Sequence, residues 1–155
     1  MKGLETFASI EHLDSESKYL VHKAKEATNH AYAPYSKFFV GAALILADDT
    51  VVTGSNQENA SYSLCMCAER ATLFAASSTN PDKKINKIAV VAHRKNHKEL
   101  LPTAPCGACR QVLLEYEVRQ GKDIAIVVLG AESEWLIFPS AASLLPLAFS
   151  PANLK

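Results

Sequence analysis

Cys67, Cys106 and Cys109 are three thiols split between one isolated position and one C-x-x-C pair, and Glu69 stands two residues past the first. Deprotonated, they can supply three thiolates to a single zinc ion, and three protein ligands leave a tetrahedral metal one open position. In a catalytic zinc site that position holds water, whose pKa the metal lowers to about 7, so that hydroxide becomes available at neutral pH. Glu69 is then a proton carrier and not a ligand. Two other readings of the cysteines stay open. Cys65 and Cys67 with Cys106 and Cys109 make a C-x-C and C-x-x-C set sufficient for a closed four-thiolate zinc, which gives Glu69 no task. A redox role for Cys106-x-x-Cys109 alone leaves Cys67-Ala68-Glu69 unexplained.

The elements that must hold these groups can be read from spacing. Tyr19, Leu20, Ala24, Ala27 and Ala31 recur at helical spacing, predicting a helix over 15–33 with Asp14 or Ser15 as N-cap and Pro34 as its end. The apolar, partly β-branched run 38–46 predicts a buried strand, and the turn 47–50 leads into a second strand at 51–54. After a polar loop at 56–63, helices are expected over 67–78 and 106–120, the second stopped by Gly121. Further strands are expected at 85–92, 124–129 and 134–138, then a short helix near 141–145. The alternation predicts an α/β fold, three-layer α/β/α, with a mixed five-stranded sheet covered on both faces. Each cysteine cluster falls where a loop enters a helix. There the unpaired N–H groups and the positive end of the helix dipole favour thiolate. Arg70, three residues after Cys67, shares its helical face and can reach the sulfurs, offsetting the charge of three thiolates. Glu69 fits less easily, because residues two apart on a regular helix point to opposite sides.

A chain of 155 residues with 48% hydrophobic and 21% charged side chains is expected to form one domain over 1–155 with a substantial core. Sixteen basic and sixteen acidic residues cancel, and no basic stripe could follow a phosphate backbone, which disfavours nucleic acid as a partner. No stretch reads as a signal peptide or membrane helix, so a cytoplasmic protein with reduced cysteines and no membrane partner is expected. His12, His22, His30, His93 and His97 show no spacing that pairs them with the cysteines.

Several stretches, Ala31-Tyr32-Ala33-Pro34-Tyr35-Ser36-Lys37-Phe38, Asn56-Gln57-Glu58-Asn59-Ala60-Ser61-Tyr62, Cys67-Ala68-Glu69-Arg70 and Pro105-Cys106-Gly107-Ala108-Cys109-Arg110-Gln111, extend these motifs. Together with Leu144-Leu145-Pro146, Phe149 and Pro151, they resemble the small homo-oligomeric cytidine deaminases of pyrimidine salvage across nearly the whole chain. Zinc nucleobase deaminases share a Cys or His first ligand and a Glu acid/base. The resemblance implies hydrolytic deamination of cytidine and 2′-deoxycytidine to uridine and 2′-deoxyuridine, with release of ammonia and one Zn2+ per subunit. It implies that Phe38 packs on the base, that Asn56 and Glu58 hold the ribose, and that Ala60 belongs to the substrate site. Tyr62 and Phe149 would come from neighbouring subunits of a homotetramer with shared sites. An acidic Glu58 argues for a ribose over a blasticidin-type substrate. The resemblance is weakest at Ser63 and Cys65, where relatives carry other small residues, and Cys65 is expected to be a buried thiol near the site.

Overall fold

In the computed structural model, which describes residues 3–97 and 99–154, the side-chain alternation of the central strands sorts the apolar residues into two cores. The order is β1 (Glu5–Phe7), α1 (Ser15–Ala27), β2 (Phe38–Leu46), β3 (Val51–Ser55), α2 (Ala68–Thr79), β4 (Ile85–Arg94), α3 (Gly107–Gln120), β5 (Ala125–Leu129) and β6 (Trp135–Phe138). Across the sheet the strands run β1-β6-β5-β4-β2-β3, and only the β4–β5 pair, joined through α3, is parallel. Ala42, Leu44, Leu46, Ile88, Val90, Ile126 and Val128 pack with Leu73 of α2 and Leu113 of α3. Their sequence neighbours Ala43, Ile45, Ala89, Val91, Val127 and Leu129 pack instead with Leu20, Val21 and Ala24 of α1. Successive strand residues face opposite sides, so a strand covered on both must be apolar throughout, and 38–46 and 124–129 are. Among the described residues no helix is long and apolar enough to cross a membrane.

The sheet has six strands where the sequence predicts five. The extra one, β1, pairs antiparallel with β6 through three residues, of which Glu5 and Thr6 are exposed, so it carries no apolar pattern to read. Helix α1 ends six residues before the expected position. The Thr28 hydroxyl donates to the Lys25 carbonyl, and Thr28–His30 tightens into a 3-10 turn. At that point β2 passes so near that a Cβ on Gly41 would collide with the Ala24 carbonyl oxygen. The expected helix near 141–145 is a 3-10 turn, Ala142–Leu144. Helix α3 does stop at Gly121, which takes the left-handed conformation with φ 63°.

Glu117, 5% exposed on α3, accepts hydrogen bonds from the backbone N–H groups of Ile124, Ala141 and Ala142. It ties α3 to the start of β5 and to the segment after β6. Burial still pushes its carboxyl above the ordinary value of 4.5 despite these donors. The folded state therefore binds this proton more tightly than the unfolded chain, so the contribution is fullest below the unfolded pKa and is lost as pH rises through the folded one. Glu117→Gln, which cannot ionise, is expected to show a flatter fall in melting temperature than wild type as pH rises above about 4.5. Thermal denaturation across pH 4 to 8 measures this, and parallel curves would contradict it.

Candidate active site

Two helices begin with a cysteine. Cys67 is the N-cap of α2 (φ −71°, ψ 150°) and Cys106 the N-cap of α3 (φ −66°, ψ 167°), and neither side chain makes a capping hydrogen bond to the backbone of its helix. A Ser or Asp would normally satisfy the first free N–H groups there. With cysteine those groups and the helix dipoles are left to face the sulfurs. Cys109 and Arg70 occupy equivalent places, each three residues past its N-cap. The Cys67 and Cys106 sulfurs are 3.9 Å apart, the Cys106 and Cys109 sulfurs 3.5 Å, and all three lie within 4.8 Å of one another. Glu69 reaches the same place because Cys67 sits in extended backbone outside the helix, so the opposite-sides arithmetic of a regular helix does not apply to the pair.

The electrostatics follow from this crowding. Donation from the Cys109 thiol first, then from Arg70 and Cys106, brings the Cys67 thiol down to about 5 against the opposing effect of burial. Cys109 moves upward, since it serves the Cys67 sulfur as a proton donor and is itself buried. Arg70 donates from Nη2 to the Cys67 sulfur at 3.7 Å. Its Nε is buried and lacks a hydrogen-bond partner among the described residues, so the guanidinium has attraction to spare for negative charge on the sulfurs. Burial raises the Glu69 carboxyl, which is 4% exposed, and negative charge at Cys67 adds to the rise. Three soft donors at two helix N-termini, with a cation to offset their charge, suit a zinc ion. Cys65 stands apart from this set: its sulfur accepts from the Asn59 N–H at 3.3 Å, and the metal-sized cluster among the described residues is the other three. It is half-buried in the pocket wall, where the sequence predicts a buried thiol.

A cavity of about 310 Å³ opens beside the sulfurs, lined by Phe38, Asn56, Glu58, Cys67, Glu69 and Cys106 among others. A two-way bond between Gln57 and Met66 (2.9 and 2.8 Å) folds the chain so that 56–58 and 65–67 flank it together. Asn56 is held by β2 at both ends, its Oδ1 accepting from the Val40 N–H at 2.8 Å and its Nδ2 donating to the Phe38 carbonyl at 2.9 Å. Glu58 Oε2 accepts from the N–H groups of Tyr35 and Ser36 at 2.9 and 3.3 Å. Hydrogen bonding, from the Ser36 hydroxyl above all, keeps this carboxyl below its ordinary range and hence ionised. Ala60, Tyr62 and Phe149 are not in the lining. Tyr62 is 72% exposed against Tyr35, their rings 5.7 Å apart, and Phe149 is 60% exposed. Thr103 and Ala104 do line the pocket, and nothing in their residue types announces it. Their place before Pro105-Cys106 is the signal that could have found them.

The family model for the cytidine and deoxycytidylate deaminase zinc-binding region matches residues 14–122. The cytidine deaminase of Halalkalibacterium halodurans is 48% identical over 140 residues, covering 90% of this chain and 98% of the relative. Among solved structures, the cytidine deaminase from Burkholderia pseudomallei is 41% identical with a TM-score of 0.72, covering 88% of this chain and 100% of that one. The Mycobacterium tuberculosis enzyme is 38% identical with a TM-score of 0.68, over 88% and 99%. Likeness at this level over almost the full length of each relative, through the very stretch that carries the three thiols, means that the chain belongs to the cytidine deaminase family.

Proposed function

We propose that the protein is a hydrolase that deaminates cytidine and 2′-deoxycytidine, giving uridine and 2′-deoxyuridine and releasing ammonia. The observation that carries this reading is the buried Glu69 carboxyl opening on the same pocket as Cys67 and Cys106. Cys67, Cys106 and Cys109 hold the zinc ion, which when bound supplies an acidified water at neutral pH. Arg70 offsets the thiolate charge that would otherwise weaken that acidification. Glu69 accepts a proton from the attacking water and delivers it to the ring nitrogen next to the amino-bearing carbon of cytosine. It then takes the remaining proton of that water, now the hydroxyl on the tetrahedral carbon, and passes it to the amine as the C–N bond breaks, leaving the carbonyl of uracil and ammonia. Burial raises this carboxyl above an ordinary glutamate, so it takes up a proton more readily than an exposed one, as a group that must accept and then release a proton requires. The ribose falls to Asn56 and Glu58. Each has spare capacity, since Asn56 keeps a second hydrogen and lone pair and both backbone N–H groups that hold Glu58 go to Oε2. Phe38 lies against the base, and Ala60 contributes from the loop that follows Glu58.

The pocket of one chain is incomplete in this reading. Tyr62 and Phe149 are large, exposed and outside their own pocket, and a homotetramer in which they enter neighbouring sites accounts for that exposure. The test is a turnover assay on zinc-loaded protein, following ammonia release and the ultraviolet change to uracil. Cytidine, deoxycytidine, deoxycytidylate and a blasticidin-type compound are compared side by side. Turnover of the two nucleosides alone is expected. Equal turnover of the blasticidin-type compound would overturn the ribose role of Glu58, and no turnover of any substrate would overturn the reading.

A further inference from the structure

The helix that carries Cys109 also holds the C-terminal segment. Arg110 donates from Nε to the Pro105 carbonyl at 2.8 Å and from Nη1 to the Leu144 carbonyl at 3.1 Å. Gln111 donates from Nε2 to the Phe149 carbonyl at 2.8 Å. Beyond β6 the described chain forms only two short 3-10 turns, Ala142–Leu144 and Pro151–Leu154, so no strand ladder fixes it. Among the described residues, the Gln111 bond is the one hydrogen bond that ties 146–154 to the rest of the molecule. Leu147, Phe149 and Leu154 stand 95%, 60% and 75% exposed around it. On a helix, residues two apart are separated by about 200°. Cys109 faces the other sulfurs, so Gln111 holds the Phe149 carbonyl on the other side of α3, and the Phe149 side chain is not in the lining of its own pocket.

We propose that Gln111 is a positioning residue whose amide, by fixing the Phe149 carbonyl, sets the reach of the Phe149 ring into the substrate pocket of a neighbouring copy of this chain. The proposal rests on the reading above that Phe149 completes a neighbouring site. A segment with a single tie loses its orientation when the tie is removed, and a ring that contacts bound substrate then binds it less well. The effect belongs to substrate binding, because among the described residues the Gln111 amide bonds to the Phe149 carbonyl and to neither the sulfurs nor Glu69.

The test uses full-length zinc-loaded Gln111→Met, which keeps the length and removes the donor, with Phe149→Ala and the double variant. Gln111→Met is expected to raise KM for cytidine about two- to tenfold with a smaller change in kcat, the size of one lost hydrogen bond. Zinc content and oligomeric state should match wild type. Phe149→Ala should raise KM at least as much, and Gln111→Met should add nothing in that background. A wild-type KM for Gln111→Met beside a raised one for Phe149→Ala overturns the proposal and leaves the shared-site reading standing, as do additive effects in the double variant. An unchanged KM for Phe149→Ala overturns both. Loss of zinc in Gln111→Met moves the role to the metal and also overturns it. If Gln111→Met does not fold, Gln111→Glu removes the donor at the same size and is read the same way.

Discussion

Glu69→Gln is expected to lower kcat for cytidine about 10²- to 10⁴-fold, the usual worth of a positioned acid/base. Zinc content should remain one per chain and KM should change little. The substitution keeps the size and position of the side chain, 4% exposed at the start of α2, and removes its ability to take up and release a proton. Each decade corresponds to about 1.4 kcal/mol, so the expected loss is about 3–5 kcal/mol of transition-state stabilisation. An equal fall in kcat and kcat/KM would place that stabilisation in the transition state alone. Steady-state turnover with metal analysis of the same sample makes the distinction. A variant that loses both zinc and activity would make Glu69 part of the metal site, and one that turns over at the wild-type rate would end its role as proton carrier.

The central sheet was legible from sequence because strands buried on both faces must be apolar at every position, and the run 38–46 has no polar residue to break it. Strand β1 was not, since three mostly exposed residues pairing at an edge are fixed by their partner β6 and not by their own pattern. The early end of α1 was hidden for a related reason. Pro34 is a visible stop, but the crossing of Gly41 over Ala24 is a tertiary contact that leaves only a glycine in another element to mark it. At the site, the sulfurs were legible as a C-x-x-C pair plus one, and their adjacency follows from two N-caps that no spacing rule brings together. Glu69 looked misplaced only while Cys67 was counted as helical. Where Asn56 and Glu58 point depends on bonds to the backbone of 35–40, which sequence leaves open. The cysteine N-caps and the Arg70 Nε, which has no hydrogen-bond partner among the described residues, are local defects by ordinary folding rules, and both lie at the metal donors.

Cys109→Ala is expected to reduce zinc from one per chain to near none and to bring turnover to background, whereas Cys65→Ala should leave zinc at one per chain. The contrast follows from geometry. Cys109 is fully buried beside the other two sulfurs, and two remaining donors, one of them exposed, make a poor site for a four-coordinate ion. Cys65 spends its sulfur on the Asn59 backbone. Stability should follow occupancy. If free zinc stands about 1,000-fold above its dissociation constant, binding stabilises the wild-type fold by about 4 kcal/mol, and Cys109→Ala forfeits that gain. The dependence should also have a sign in pH. The proton that Cys109 holds above its ordinary range must leave before the sulfur can bind metal, so zinc affinity should rise with pH until that proton is fully displaced. Melting curves with and without a chelator, for both variants, read occupancy and stability together. Zinc retained by Cys109→Ala but lost by Cys65→Ala would exchange the two residues' roles and return the cysteines to a different metal centre.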